Sequence, residues 1–163
     1  MELLFLTKDE IAKTTIVGGN VEREKYVFCI INVQKTIIET MLGTELYDKI
    51  VSDLELDSLT GDYLELFNDF IKPITKNLSV SEYVEISNYY LGNKGLFKPS
   101  SENSETASKN DRIELSQKYK GLAQTYIERF NKWILRKDLP EYKTYQDEVN
   151  ARKVNTTFNW FFK

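Results

Sequence analysis

Apolar residues recur every three or four positions over much of the chain, which is the spacing typical of amphipathic helices. The longest such run lies between residues 26 and 54 and predicts a long helix followed by a short one. We expect the long helix to begin near Val21 and to end at Gly43, since glycine readily adopts the positive φ of a helix C-terminus. Thr44 is expected to cap the second helix. These two helices are the predicted centre of the fold.

Further helices are expected on both sides of this centre. Thr7 and Glu10 have the spacing of a capping box, which predicts a short N-terminal helix. A helical pattern also runs from Asp62 to about Leu91, and we expect a kink or a new start at Pro73, which lacks a backbone donor. Its apolar positions are Leu64, Phe67, Phe70, Ile71, Ile74, Leu78, Tyr83, Val84, Ile86 and Tyr90.

The last predicted helix spans residues 111–137, and Arg136 and Lys137 in its final turn would interact favourably with the helix dipole. Its apolar stripe comprises Leu115, Tyr119, Leu122, Tyr126, Ile127, Phe130, Trp133 and Ile134. Residues 93–99 have extended character, and residues 100–110 form a polar loop. Residues 154–162 largely alternate between apolar and polar types, which is the period of a strand.

The predicted fold class is therefore mainly α. We expect a bundle of about four to five helices with a small extended or β element, formed by the loop after residue 92 and the C-terminal strand. The chain is divided into a helical domain, residues 1–145, and an extended C-terminal arm, residues 146–163.

Composition narrows the functional classes. The sequence has one cysteine and no histidine, which excludes Cys-His and Ser-His-Asp catalysis and the usual zinc sites within this sequence. Its net charge of −3 argues against nucleic-acid binding driven by bulk charge, though not against a local basic patch. No segment has the pattern of a signal peptide or a membrane span, so we expect a soluble protein made in a cytoplasm, with no membrane partner.

Acidic residues that could hold a divalent cation cluster near the end of the second central helix. Their spacing lacks the pattern of a calcium loop, which favours a solvated helix end. The cluster comprises Asp48, Asp53, Glu55 and Asp57. Glu82 and Glu85 lie one helical turn apart and could act as an acid–base pair, but we interpret them as a solvated face. The sequence therefore predicts no catalytic residue, no metal ligand and no cofactor.

Cys29 lies in an apolar run, which favours a buried structural cysteine over a reactive thiol. Tyrosines at positions 89, 90, 142 and 145 could stack on single-stranded nucleic acid. At helical spacing, such tyrosines more often belong to the core or its rim, which is our interpretation.

The C-terminal segment is the best candidate for an interface, because four aromatic side chains lie close together there. Burying each one would contribute about 1.5–3 kcal/mol. The segment either folds back as an edge strand, against residues 95–98, or adds to a partner, and these alternatives are compatible. The predicted interface residues are Phe158, Trp160, Phe161, Phe162, Gly95, Leu96 and Phe97.

Three segments, in their order along the chain, resemble a known family. Residues 41–50, Met-Leu-Gly-Thr-Glu-Leu-Tyr-Asp-Lys-Ile, are similar to the LG-x-x-LY-x-x-I segment of head-to-tail connector (adaptor) ring proteins of tailed phages, including crAss-like and other phages of Bacteroides-type bacteria. Phe-Ile-Lys-Pro-Ile at 70–74 resembles the helix-proline-helix step that follows there. Asn-Lys-Gly-Leu at 93–96 precedes a serine-rich loop, a long helix and a Pro-Glu-Tyr exit, which completes the order.

This resemblance implies a non-catalytic helical-bundle subunit that assembles as a ring, typically of twelve copies, beneath the capsid portal. The implied partners are the portal protein, neighbouring copies and downstream neck or tail proteins, while packaged DNA passes through the channel without specific binding. The implied location is the virion, at the junction of capsid vertex and neck or tail, after synthesis in the bacterial host cytoplasm. The alternative is a stand-alone cytoplasmic helical adaptor with an aromatic docking tail, and a small carboxylate-based enzyme is a third hypothesis.

Overall fold

The computed structural model describes residues 3–17, 23–87, 89–92, 95–97, 108–143, 145–147 and 149, and of 8, 23, 90–92 and 95–97 the backbone alone. Three sequence predictions lie outside these ranges: the start of the long helix near Val21, most of the polar loop at 100–110, and the C-terminal strand. Residues 140–143 and 145–147 have helical backbone, and the division of the chain after residue 145 stays a prediction.

The described residues are mainly helical, which confirms the predicted fold class. The helices are α1 (Lys8–Thr14), α2 (Arg23–Val33), α3 (Glu39–Leu42), α4 (Thr44–Glu55), α5 (Gly61–Leu66), α6 (Lys72–Ile86) and α7 (Lys109–Ile134). Two π-helical segments, Gln34–Ile38 and Phe67–Ile71, join α2 to α3 and α5 to α6. Strands β1 (Tyr90–Gly92) and β2 (Gly95–Phe97) form an antiparallel hairpin between α6 and α7.

The long central helix is continuous from α2 to α3, and its π-helical segment brings a polar side chain into the core. The Glu39 N–H donates to the Gln34 carbonyl five residues earlier, so this turn contains one extra residue. Gln34 is fully buried and holds the N-terminal segment at two points. Its Oε1 accepts from the Phe5 N–H at 2.9 Å, and its Nε2 donates to the Leu3 carbonyl at 3.0 Å.

The second π-helical segment ends two residues before Pro73 and explains why the helix passes through the proline. The Lys72 N–H donates to the Phe67 carbonyl, again five residues back. A wider turn at this point accommodates both the missing proline N–H and the bulk of its ring. The helical backbone is therefore continuous from Gly61 to Ile86, with Pro73 at the start of α6.

Several predicted helix boundaries were wrong. Thr44 is the first residue of α4 and does not cap it, because Gly43 occupies the cap position. Helix α6 ends at Ile86 in a turn closed by the Tyr89 N–H and the Ile86 carbonyl, so position 90 belongs to a strand. The last helix ends at Ile134, which places residues 136 and 137 beyond it.

Two apolar positions also face away from the core. Leu64 is 41% exposed and Leu122 is 44% exposed. Helix α5 turns Tyr63 and Leu66 inward, which leaves Leu64 on its outer side. In α7 the fully buried residue at this level is Ala123, next to Leu122.

The buried apolar residues form two cores. The main core contains Phe5, Val33, Ile38, Leu42, Leu46, Tyr47, Ile50, Leu66, Phe67, Phe70, Ile71, Ile74, Phe130, Ile134 and Leu139. The N-terminal core contains Leu6, Ile11, Val17, Tyr26, Ile30 and Val80. Helix α6 contributes to both, through Ile74 and Val80 respectively.

Candidate functional site

The hairpin contains three of the predicted interface residues. Gly95, Leu96 and Phe97 form β2, paired antiparallel with β1 so that residue 95 faces Gly92 and residue 97 faces Tyr90. Within the described ranges the sheet has two strands, and each strand is three residues long. A two-stranded hairpin is marginally stable alone. No further strand pairs with either edge within the described ranges, and such an edge offers its N–H and C=O groups to another strand.

The other predicted interface residues lie outside the described part of the chain. They are Phe158, Trp160, Phe161 and Phe162. Their pairing with residues 95–98, or with a partner, therefore stays a prediction.

A close contact joins the turn after α3 to the C-terminal part of the described chain. Gly43 has φ 80° and ψ 154°, and a Cβ built there would lie 2.5 Å from Cγ of Tyr145. The Tyr145 hydroxyl donates to the Thr40 carbonyl at 2.7 Å, so one of the last carbonyls of α3 is satisfied by a side chain. Glycine is required at this position both by its backbone conformation and by the space that the tyrosine ring occupies.

The structure also contains a basic cleft that sequence reasoning missed. We use this name for an open cleft with a volume of about 460 Å³. It is lined by Glu65, Phe70, Arg129, Lys132, Trp133, Arg136 and Lys137. Phe70 and Trp133 form its apolar floor, with ring centroids 5.2 Å apart. The i, i+3, i+7 spacing of Arg129, Lys132 and Arg136 is the sequence signal that would have predicted a basic stripe here.

One end of the basic cleft is fixed by a hydrogen-bond network. Trp133 Nε1 donates to Glu65 Oε1 at 2.7 Å, and Lys137 Nζ contacts Glu65 Oε2 at 2.9 Å and Asp62 Oδ1 at 2.7 Å. Hydrogen bonds from Lys137 and then Trp133 lower the pKa of Glu65, while those to Asp62 and Glu65 raise the pKa of Lys137. Lys137 is therefore committed to this network.

The outer face of α4 is acidic. Glu45, Asp48 and Glu55 are exposed and make no ion pair with any described residue, whereas Asp53 pairs with Lys49 at 2.6 Å. Among the described residues, no group of three or more His, Cys, Asp or Glu side chains is arranged to hold a metal ion.

Glu82 and Glu85 occupy different environments. Glu82 is partly buried, accepts a hydrogen bond from Asn32 Nδ2, and its Oε2 is buried with no hydrogen-bond partner among the described residues. Burial raises its pKa, so the interpretation of Glu82 as part of a solvated face was wrong. Glu85 accepts from Lys120 Nζ at 2.7 Å and Ser116 Oγ at 2.5 Å, and these bonds lower its pKa.

The remaining predictions concern single residues. Cys29 is fully buried, and burial, followed by the charge of Glu82, raises the pKa of its thiol to about 12. This confirms that Cys29 is a structural cysteine. Tyr142 packs edge-on against Phe130, at 6.0 Å between ring centroids, which agrees with a position at the rim of the core.

None of the described helices is long and apolar enough to cross a membrane. A family model described as a family of unknown function, DUF6712, matches residues 38–153, which is more than two thirds of the chain. No curated protein and no solved structure matches the chain.

Proposed function

The chain belongs to DUF6712, a family of unknown function, and we propose that it is a structural subunit of a phage head-to-tail connector. In this role it joins neighbouring copies in a ring beneath the capsid portal, extends the DNA channel and presents a surface to neck or tail proteins. It acts without catalysis, and its place is the virion. The proposal starts from the resemblance of residues 41–50, 70–74 and 93–96 to connector ring proteins.

The hairpin β1–β2 is the structural observation that best supports the proposal. A ring is a heterologous assembly, in which each subunit offers two different complementary surfaces. An open hairpin edge is one such surface, because a strand from a neighbouring copy can extend the sheet by main-chain hydrogen bonds. The alternating pattern of residues 154–162 predicts a strand of the required kind.

The contact between Gly43 and Tyr145 gives the second supporting observation. It fixes residue 145 against the turn between α3 and α4, at the glycine of the LG-x-x-LY segment. The C-terminal arm thus starts from a fixed point on the helical body. A fixed starting point lowers the entropy lost when the arm binds a neighbour.

Electron microscopy of the purified protein mixed with a purified portal assembly tests the proposal. We expect an additional ring on the portal, and its absence at every salt concentration from low to high would overturn the proposal. A monomer that binds an unrelated cytoplasmic protein through its tail would instead support the adaptor hypothesis.

Deleting residues 157–163 tests the role of the tail. The circular dichroism spectrum should keep its helical content, whereas ring formation should be lost because the four aromatic side chains are removed. The matched control replaces Asn155 and Asn159, on the polar side of the predicted strand, by serine and should assemble normally. Normal assembly of the truncated protein would refute the proposed role of the tail.

A further inference from the structure

The basic cleft has cationic groups that the fold itself does not use. The side chains of Lys132 and Arg136 make no ion pair or hydrogen bond with any described residue, and the Arg129 guanidinium lies over the Tyr126 ring, 5.4 Å from its centroid. These cations surround the Phe70–Trp133 floor, so the cleft combines positive charge with an apolar surface. Such a combination suits a partner that offers carboxylates together with an apolar contact.

The outer face of α4 in the same chain offers the carboxylates that such a partner needs. The outer face of α4 displays Glu45, Asp48 and Glu55, none of them paired within the described residues. Asp48 and Glu55 are seven residues apart, as are Arg129 and Arg136. Asp48 and Glu55 both belong to α4, where seven residues span about 10 Å, while Arg129 and Lys132 lie on the last turns of α7 and Arg136 just beyond its end, so each surface presents its charges as a row of similar length.

Exposed leucines accompany both surfaces. Leu135, next to Arg136, is 76% exposed, and Leu56, next to Glu55, is 73% exposed. They are the two most exposed large apolar side chains in the described part of the chain. A contact that joins the acidic face to the basic cleft brings both leucines to the edge of one interface, where their apolar surface can be buried.

We propose that the basic cleft of one copy binds the acidic face of α4 of a second copy. This inference rests on the proposed function, in that it names the two surfaces through which neighbouring subunits meet. The contact is heterologous, because a cleft on α7 meets a different element, α4, and an open assembly of any length keeps one free cleft at one end and one free α4 face at the other. Assembly then proceeds from copy to copy.

The charges in this contact contribute mainly to specificity. An exposed ion pair is weak and is screened by salt, while placing like charges opposite each other is strongly unfavourable. Self-association should therefore weaken as salt concentration rises. Reversing the charges on one surface should weaken self-association far more than neutralising them does.

Charge reversal tests the contact directly. One variant, Lys132→Glu/Arg136→Glu, makes the cleft acidic, and a second, Asp48→Lys/Glu55→Lys, makes the α4 face basic. Each variant alone should self-associate about a hundredfold more weakly than the natural protein, measured by sedimentation velocity at low salt. An equimolar mixture should regain association, since the two variants then alternate with every contact complementary.

Two controls separate this contact from general effects of charge and exposed apolar surface. Lys109→Glu/Lys118→Glu makes the same change in net charge at other exposed positions of α7 and should associate normally. Leu135→Ser and Leu56→Ser should weaken association, whereas Ile16→Ser, at a residue that is 63% exposed, should not. Circular dichroism confirms that each variant is folded.

Each outcome decides the matter. A natural protein that stays monomeric at low salt, a mixture that fails to regain association, or a charge control as defective as the reversed cleft would overturn the proposal. If the cleft variant loses binding to a short DNA duplex and mixing restores nothing, the cleft is a nucleic-acid site instead. If both charge-reversed variants still form rings on the portal, this contact is refuted and the proposed function stands. If mixing the variants restores self-association but no ring binds the portal, this contact stands and the proposed function is refuted.

Discussion

The two hydrophobic cores differ in their relation to the family. All buried residues of the main core except Phe5 and Val33 fall within residues 38–153, which the family model matches. In the N-terminal core only Val80 does. The common unit of the family is therefore the main core, and α1 with most of α2 forms an additional layer that packs on α6.

Gln34 is one of the points at which the two layers are joined. Its side chain holds the backbone of Leu3 and Phe5, and Phe5 in turn packs against Tyr47 and Phe67 in the main core. We therefore expect the two layers to unfold separately. A destabilising substitution in the main core should unfold the whole molecule, whereas one in the N-terminal core should open that layer first.

The largest effect is expected from Phe130→Ala. Phe130 is fully buried between Phe70 and Tyr142, and its loss should reduce the free energy of unfolding by about 3–5 kcal/mol. Ile11→Ala, in the N-terminal core, should mainly speed hydrogen exchange in residues 3–17 and α2. Urea denaturation together with hydrogen exchange measures both, and equal acceleration of exchange throughout the molecule by Ile11→Ala would show that the two layers unfold as one.

Gly43→Ala should have the next largest effect. The substitution combines a backbone conformation that favours glycine with a clash against the Tyr145 ring, and we expect a loss of about 2–4 kcal/mol. Gly43→Ala/Tyr145→Ala removes the clash but keeps the backbone strain, so thermal denaturation should show part of the stability restored.

Two other glycines serve as controls for this prediction. Gly61 also has a positive φ of 57°, but a Cβ there would meet nothing within 4 Å, so Gly61→Ala should cost only about 1–2 kcal/mol. Gly121 lies within α7 with open space around it, and Gly121→Ala should stabilise the protein by about 0.5–1 kcal/mol. A cost at Gly43 no greater than that at Gly61 would mean that the tyrosine contact is unimportant.

Local patterns in the sequence were sufficient to predict much of the helical structure. The capping box of Thr7 and Glu10, the stop at Gly43 and the burial of Cys29 each depend on a few neighbouring residues, and all three are confirmed. Periodicity identified the long helices for the same reason, since a helix repeats its environment every three or four residues.

Features that depend on distant residues were not predictable in this way. The π-helical segments change the side-chain register within a helix, so a polar residue such as Gln34 becomes core without any signal in the local pattern. The partner of Gly43 lies about a hundred residues further along, at Tyr145. The basic cleft likewise needs the fold to bring α7 against Phe70, although its stripe of cations was visible in the sequence.

Gln34→Leu tests the link between the layers. The substitution leaves the Phe5 N–H and the Leu3 carbonyl without their buried partner, and we expect a loss of about 2–3 kcal/mol. Hydrogen exchange should rise most in residues 3–17, while amides in α7 stay protected. Gln34→Glu places a carboxylate in this fully buried site and should cost at least as much at neutral pH, with part of the loss regained in acid, where the protonated side chain can again donate to Leu3 and accept from Phe5. Rapid exchange in α7 would contradict a local link.

The smallest effect concerns pH and the two carboxylates of α6. Glu82 faces Asn32 in α2, whereas Glu85 faces Ser116 and Lys120 in α7. Because the pKa of Glu82 is raised by burial, the folded state binds its proton more tightly than the unfolded state does. The contribution of Glu82 to stability is fully present below its pKa in the unfolded state, and it is lost as pH rises through its pKa in the folded state.

Glu85 has a lowered pKa, so its contribution is present above the unfolded pKa and is lost as pH falls through the folded one. Glu82→Gln should therefore stabilise the protein at neutral pH, by less than about 1 kcal/mol, with the gain disappearing in acid. Glu85→Gln should do the opposite, weakening the contact with α7 at neutral pH. Urea midpoints measured across acidic and neutral pH should give curves that diverge for the two variants, and parallel curves would mean that the two carboxylates share one environment.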